Sequence, residues 1–311
     1  MSTLHRASGR WRLGLALALA TAALWSTLPV ALKITLEQLD PYTLTWFRFL
    51  LAFALMLGWL GARGGLAPLR GLSRRHLGLL AVAALGLIGN YVFYLLGVQH
   101  TSPGNAQLLI QLAPLLMALG GILVFGERFA AGQWLGLAVM VGGLALFFAD
   151  QLGHDALPPG RYVLGSTLVV IAAVVWAAYA LAQKQLLMRL SSPLILLVIY
   201  AVASLVLLPV ARPAALLRLD ALHWGLLLYC ALNTLAAYGC FAEALAHWEA
   251  SRVSAILATT PLLCIGVVFL VHGLWPQAIR AETVGALGFA GAALVVAGSS
   301  LTSLLGQRRS A

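Results

Sequence analysis

Few side chains in this sequence could do chemistry, and those few sit inside long apolar runs. The charged ones are Lys33, Arg48, Lys184 and Glu243; the amides are Asn90, Gln107, Gln111, Gln183 and Asn233. A charge or an amide in lipid is costly, so each must face another helix or a watered cavity. Gln107 and Gln111 are four apart and share one helix face. Arg48 lies deep in its run and could hold a helix pair together or meet a carboxylate. Lys33 and Lys184 lie near run ends, where they can snorkel or gate. Glu243 is the candidate proton carrier. Trp25, Tyr91, Tyr94, Trp176, Tyr179 and Tyr238 could wall a cavity, with Trp176 and Tyr179 expected in its lining. Ring pairing adds about 0.5–1.5 kcal/mol beyond area burial.

This is the chemistry of binding rather than of bond making. There is no His/Asp/Glu cluster with metal spacing, no Gly-x-Ser-x-Gly string and no glycine-rich phosphate loop. Cys230, Cys240 and Cys264 are odd in number, lie in apolar runs and read as packing residues. No metal and no cofactor is expected, and a membrane-embedded enzyme is the disfavoured rival.

The elements that must position these groups follow from composition. The chain is 62% hydrophobic and 9% charged, with a mean hydropathy of +0.96. A soluble domain is nearer a quarter charged. The expected fold class is therefore an all-α polytopic membrane protein. Apolar runs suggest ten transmembrane helices, roughly 12–36, 42–62, 76–99, 104–125, 131–150, 162–188, 193–211, 221–245, 252–272 and 281–304. Thirteen of the 19 Lys and Arg residues fall in loops on one side and four on the other, with Lys33 and Arg48 inside helices. The basic side should be cytoplasmic and should hold both termini, in a bacterial inner membrane. The net charge of +10 then orients the chain on a lipid bilayer, and no nucleic-acid partner is expected. Arg10, Arg12, the Leu/Ala run and Ala20-Thr21-Ala22 also fit a cleavable signal peptide. Retention is favoured, because cleavage near Ala23 would remove the partner of the sixth helix.

That partnership is an internal repeat. Trp25 to Lys33 and Trp176 to Lys184 both run eight residues from tryptophan to lysine, and Pro41 and Pro193 open the runs that follow. Further on, His100 matches His247, Pro114-Leu-Leu matches Pro261-Leu-Leu, and Tyr91-x-x-Tyr94 matches Tyr238-x-x-Phe241, all at one offset. The units are residues 1–152 and 153–311, with five helices each. Five is odd, so the second unit enters from the opposite face, which is the inverted-repeat plan of many secondary transporters. Pro114 and Pro261 fall mid-helix and are the expected hinges. Gly132, Gly136, Gly142 and Gly143, with Gly285, Gly288 and Gly291, give helices five and ten small faces that could pack within the chain or form a homodimer.

These strings resemble the EamA type of the drug/metabolite transporter superfamily. The resemblance is carried by Trp25-Ser-Thr-Leu-Pro-Val followed by Lys33, by Pro41 with Arg48-Phe49, by Pro114, and by Gly126-Glu127-Arg128 closing helix four. It covers nearly the whole chain. Gly273-Leu274-Trp275 stands where a second Gly-Glu-Arg would be, so Glu127 has no symmetric counterpart. Leu24-Trp25-Ser26-Thr27 and Trp176-Ala177-Ala178-Tyr179 are similar to strings of the aromatic amino acid exporters of that superfamily. The resemblance implies an inner-membrane exporter of small molecules, with amino acids, aromatic ones above all, as the expected substrates. It also implies that the fifth helix of each unit stands outside the transport core. The alternative within the superfamily is export of lipophilic cations. The substrate site would draw on Trp25, Asn90, Tyr91, Tyr94, Gln107, Gln111, Trp176, Tyr179, Gln183 and Tyr238.

Overall fold

A computed structural model describes residues 10–63, 72–125, 130–154, 158–248, 253, 256–280 and 282–305. The Gly126-Glu127-Arg128 string lies outside them, as do several of the loop arginines that set the expected orientation. The described residues are helical with short connections. The helices are α1 (Trp11–Thr35), α2 (Pro41–Ala62), α3 (Arg74–His100), α4 (Pro103–Leu109), α5 (Leu112–Phe125) and α6 (Ala131–His154). They continue with α7 (Pro159–Leu186), α8 (Ser192–Leu207), α9 (Ala221–His247), α10 (Thr260–Leu274) and α11 (Ala286–Leu305), with a 3₁₀ turn over Pro213–Arg218. By length and composition α1, α2, α3, α6, α7 and α9 can each cross a membrane; α8, α10 and α11 are shorter apolar helices.

The ends of these helices are written locally. Asp40 caps α2 by accepting from the Tyr42 and Thr43 amides, with Pro41 at the first helical position. Ser102 caps α4 in the same way through Asn105, and Asp220 caps α9 through His223. The run expected as one helix over 104–125 is instead two, α4 and α5, parted at Ile110–Gln111. The run expected over 252–272 is parted at Ala258–Thr259, between a helical Leu257 and the start of α10. The prolines explain both breaks. Pro114 has no N–H to give Ile110, whose carbonyl takes the Ala113 amide at 2.9 Å instead. Pro261 likewise cannot reach Leu257, and the Thr260 hydroxyl donates to that carbonyl in its place. Each proline therefore parts its helix on the N-terminal side, a few residues before itself.

Packing sets the frame. α1 lies on α9 and α10, α2 on α8 and α9, α3 on α7 and α8, α5 on α7, α4 on α10, and α6 on α11. The last pair is the tightest. A Cβ at Gly136 would fall 2.8 Å from the Gly298 carbonyl, and one at Gly143 would fall 2.6 Å from that of Gly291. Only glycine lets the two backbones approach so closely. Of the two uses expected for these faces, Gly132, Gly136, Gly143 and Gly291 show packing within one chain.

Candidate functional site

A cavity of about 440 Å³ lies where α1, α2, α3, α4, α7, α9 and α10 converge. Both helix breaks reach it, through Ile110 and Gln111 on one side and Leu257, Ala258 and Thr260 on the other. Backbone freed from a helix survives at membrane depth only where protein or cavity water can satisfy it.

One wall is aromatic. The Trp25 ring meets Tyr238 edge-on at 5.6 Å and lies 5.8 Å from Phe241. Trp176 enters from α7, and Tyr91 and Tyr94 from α3. The amides are mostly pinned. Asn90 donates to the Ala172 carbonyl at 3.0 Å, and Gln107 accepts from the Tyr94 hydroxyl at 3.0 Å. Gln111 stands at the break with its amide nitrogen buried and without a partner.

Arg48 is the one charged residue in the described lining, and no carboxylate joins it. It is only 2% exposed. Its Nε donates to the Cys230 carbonyl at 3.2 Å and to Thr234 Oγ1 at 3.3 Å, and Nη2 donates to Thr234 Oγ1 at 3.1 Å. The guanidinium carbon sits 4.7 Å from the centre of the Tyr91 ring. α3 and α9 thus hold the head group of an α2 arginine in one plane.

Other expected site residues fall elsewhere. Tyr179 does not line the cavity. It is buried in the α3–α7 contact, where a Cβ at Gly86 would lie 3.0 Å from its own, and its ring meets Trp176 edge-on at 6.1 Å. Three residues turn a helix by about 300°, so Tyr179 and Trp176 do not share an outlook. Gln183 is also outside the lining, its amide 3.4 Å from the Ser192 hydroxyl at the α7–α8 turn. Asn233 bonds the Leu24 carbonyl at 2.8 Å and the Tyr229 hydroxyl at 3.1 Å, joining α9 to α1 behind the cavity wall. Lys184 is exposed in the last turn of α7. Glu243 is exposed too, 3.0 Å from His247 Nε2 near the end of α9, and so it is not a carboxylate of the cavity. Ser299 of α11 does reach the lining, so the last helix is not wholly outside the core. Nothing in the sequence marked it beyond a Ser299-Ser300 pair in an apolar run.

Lys33 belongs to a second cavity, of about 450 Å³, at the end of the bundle where α1 and α3 finish. Its ammonium donates to the carbonyls of Val98, Gln99 and Thr101 at 2.6, 3.0 and 2.7 Å, closing the C-terminus of α3. Glu37, Arg161, Arg280 and Glu282 also line this space. Sequence reasoning treated them as scattered loop charges. Leu32, Tyr94 and Leu95 border the first cavity and Leu36 the second, one α1 turn beyond Leu32. Leu36 and Tyr94 pack with Leu32 and Leu95 on one side and with Val98 and Leu108 on the other, between the two spaces. Beside this plug, α4 is tied to later parts of the chain. Tyr162 donates to Asn105 Oδ1 at 2.7 Å, Asn105 donates to the Ser166 hydroxyl at 3.0 Å, and the Gly104 amide donates to Glu282 at 2.8 Å.

Comparison with known proteins gives a consistent picture. The model of the EamA-like transporter family matches residues 12–149 and 163–304. The chain is 38% identical over 299 residues to the "Uncharacterized inner membrane transporter YhbE" of Escherichia coli (strain K12), covering 95% of this chain and 92% of that one. It is 29% identical over 164 residues to the "Aromatic amino acid exporter YddG" of Ancylobacter novellus, covering 52% and 55% of the two chains. A solved structure titled "Crystal structure of protein" superposes with a TM-score of 0.64 at 20% identity, covering 98% of this chain and all of that one, and so shares its fold.

Proposed function

Because this chain is a member of the EamA-like transporter family, a membrane transporter and not an enzyme, we propose that it exports small metabolites, most of all amino acids with aromatic side chains, by alternating access around the first cavity. The observation that carries this reading is the lining itself: rings from α1, α3, α7 and α9 surround a space whose described lining carries one arginine and no acid. Stacking suits a flat apolar side chain, and the charge suits a carboxylate. An exporter of lipophilic cations would need the opposite charge in this place, so that alternative is disfavoured. The name of the Ancylobacter relative points the same way.

The helix pairing supports ten spans in two inverted repeats. An in-plane twofold that exchanges α1 with α7, α2 with α8 and α3 with α9 also exchanges the α1–α9 contact with the α3–α7 contact. It exchanges α1–α10 with α7–α5 and maps α2–α8 and α6–α11 onto themselves. The two family matches divide the chain at the same place. In this reading the halves rock about the two helix breaks, with the lining exposed to one side at a time.

The test is counterflow in proteoliposomes. Internal unlabelled phenylalanine or tryptophan should accelerate entry of labelled phenylalanine over buffer-loaded vesicles. Trp25→Ala or Trp176→Ala, each removing one ring, should raise KM by about 2- to 13-fold, the equivalent of 0.5–1.5 kcal/mol. No acceleration by any amino acid would discard the amino-acid assignment.

A further inference from the structure

We propose that Arg48 is the counter-charge for the carboxylate of the transported molecule, so that the substrate class is the aromatic monocarboxylate and the amino group is dispensable. This rests on the first cavity being the transport site and deepens that reading.

The argument starts from an unfinished charge. A guanidinium has five N–H groups and does not lose its proton in proteins. At Arg48 the Nε–H and one Nη2 hydrogen are used, both on neutral oxygens, and the remaining three have no acceptor among the described residues. Those three lie on Nη1 and Nη2, the end of the fork that takes a carboxylate through two parallel hydrogen bonds. The Tyr91 face beneath the head group offsets part of the desolvation and leaves the fork's edge free. A buried cation with no anion is strongly unfavourable, and retaining one on a cavity wall is explained when the ligand brings the anion.

An ammonium group meets no counter-charge in the described lining. The described lining offers it neutral oxygens and ring faces, and the nearby Arg48 charge opposes it. The site therefore distinguishes the two ends of an amino acid. It reads the carboxylate by charge and the side chain by stacking against Trp25, Trp176, Tyr238 and Phe241. Aromatic acids without an α-amino group meet both requirements.

The experiment uses three analogues against labelled phenylalanine in the counterflow assay: phenylacetate lacks the ammonium and the carbon that bears it, phenylethylamine lacks the carboxylate, and phenylalaninamide has a neutral amide in its place. Phenylacetate should compete within a few-fold of phenylalanine. The amine and the amide should be at least tenfold weaker. Arg48→Gln should raise KM for phenylalanine at least tenfold and abolish its advantage over the amide, while Arg48→Lys, which keeps charge but not the fork, should restore part of it. If Arg48→Gln does not fold, the analogue ranking on the wild-type protein decides. A ranking with the amine and amide equal to phenylalanine and phenylacetate inactive overturns the inference and leaves the exporter standing. Thermal shifts of the detergent-solubilised protein separate the other case. Stabilisation by phenylacetate but not by phenylethylamine, without counterflow, supports the carboxylate site and removes the export reading. No stabilisation by any carboxylate overturns the inference.

Discussion

Tyr162→Phe is the sharpest test of whether the contact between α4 and α7 works as a latch. Tyr162 is 1% exposed, and its hydroxyl donates to Asn105 Oδ1 at 2.7 Å. Asn105 is fully buried and spends its amide nitrogen on Ser166. The substitution keeps the ring against Phe148, 5.5 Å away, and removes a single donor. Asn105 Oδ1 is then a buried acceptor without a partner, at a cost of about 1–3 kcal/mol. If α4 and α7 part when the second cavity opens onto the first, that cost falls only on the closed state. The closed-to-open ratio should then drop by about 5- to 150-fold. The assay is labelling of Ile110→Cys, a half-buried residue of the first cavity, with a membrane-impermeant maleimide added from the side of the second cavity. Cys230, Cys240 and Cys264 would first be replaced by alanine. Tyr162→Phe should raise the labelling rate within that range, with little loss of thermal stability. A fall in Tm matching the full 1–3 kcal/mol with no change in labelling would mean that the contact persists in both states, and the latch would be wrong.

Three further outcomes follow from the same packing and hydrogen bonding. Gly298→Ala would put a Cβ 2.5 Å from the Gly136 carbonyl and should cost about 1–3 kcal/mol by thermal unfolding in detergent, whereas Gly142→Ala, with open space around it, should be neutral or slightly stabilising. Thr260→Val removes the donor to the Leu257 carbonyl and should cost about 1 kcal/mol, a loss that Pro261→Ala in the same chain should partly recover by restoring an N–H; additive effects would refute the pairing. The Asp220 carboxyl is held down to about 2, first by the His223 amide and then by its ring. Because its folded pKa is depressed, the α9 cap contributes fully above about 4 and is lost as pH falls through about 2; Asp220→Asn should flatten that part of an acid-unfolding curve.

Much of this was legible because membrane helices announce themselves by length and because a polar group among apolar neighbours must face something. Arg48, Gln107 and Gln111 stood out for that reason, Trp176 as a ring deep in an apolar run, and all four line the cavity. What the sequence lacked was azimuth. Tyr179 and Gln183 follow Trp176 in the same apolar run, and linear spacing does not say which neighbouring helix each face will meet. Gly86 settles it for Tyr179 by opening room on α3, ninety-three positions earlier. The second cavity was hidden for a different cause. Lys33, Arg161 and the Arg280/Glu282 pair come from three separate segments, and each alone reads as a solvated or snorkelling charge.

The prolines show how a local rule becomes a functional one. From sequence they marked bends at Pro114 and Pro261. Their effect is displaced, because proline withholds a hydrogen bond from the carbonyl four residues before it rather than from its own. That displacement leaves Ile110–Gln111 and Ala258–Thr259 out of helix, and the residues that face the cavity are Ile110, Gln111 and Ala258 with their neighbours Ala113, Leu257 and Thr260, not the rings of Pro114 and Pro261. The breaks need compensation at membrane depth, and the chain supplies it with the Ala113 amide in one half and the Thr260 hydroxyl in the other. Both substitutes are short-range and cost little to rearrange. In the proposed cycle a hinge built on them would flex while the Ile110 and Leu257 carbonyls keep a donor, at the wall of the cavity proposed to hold the ligand.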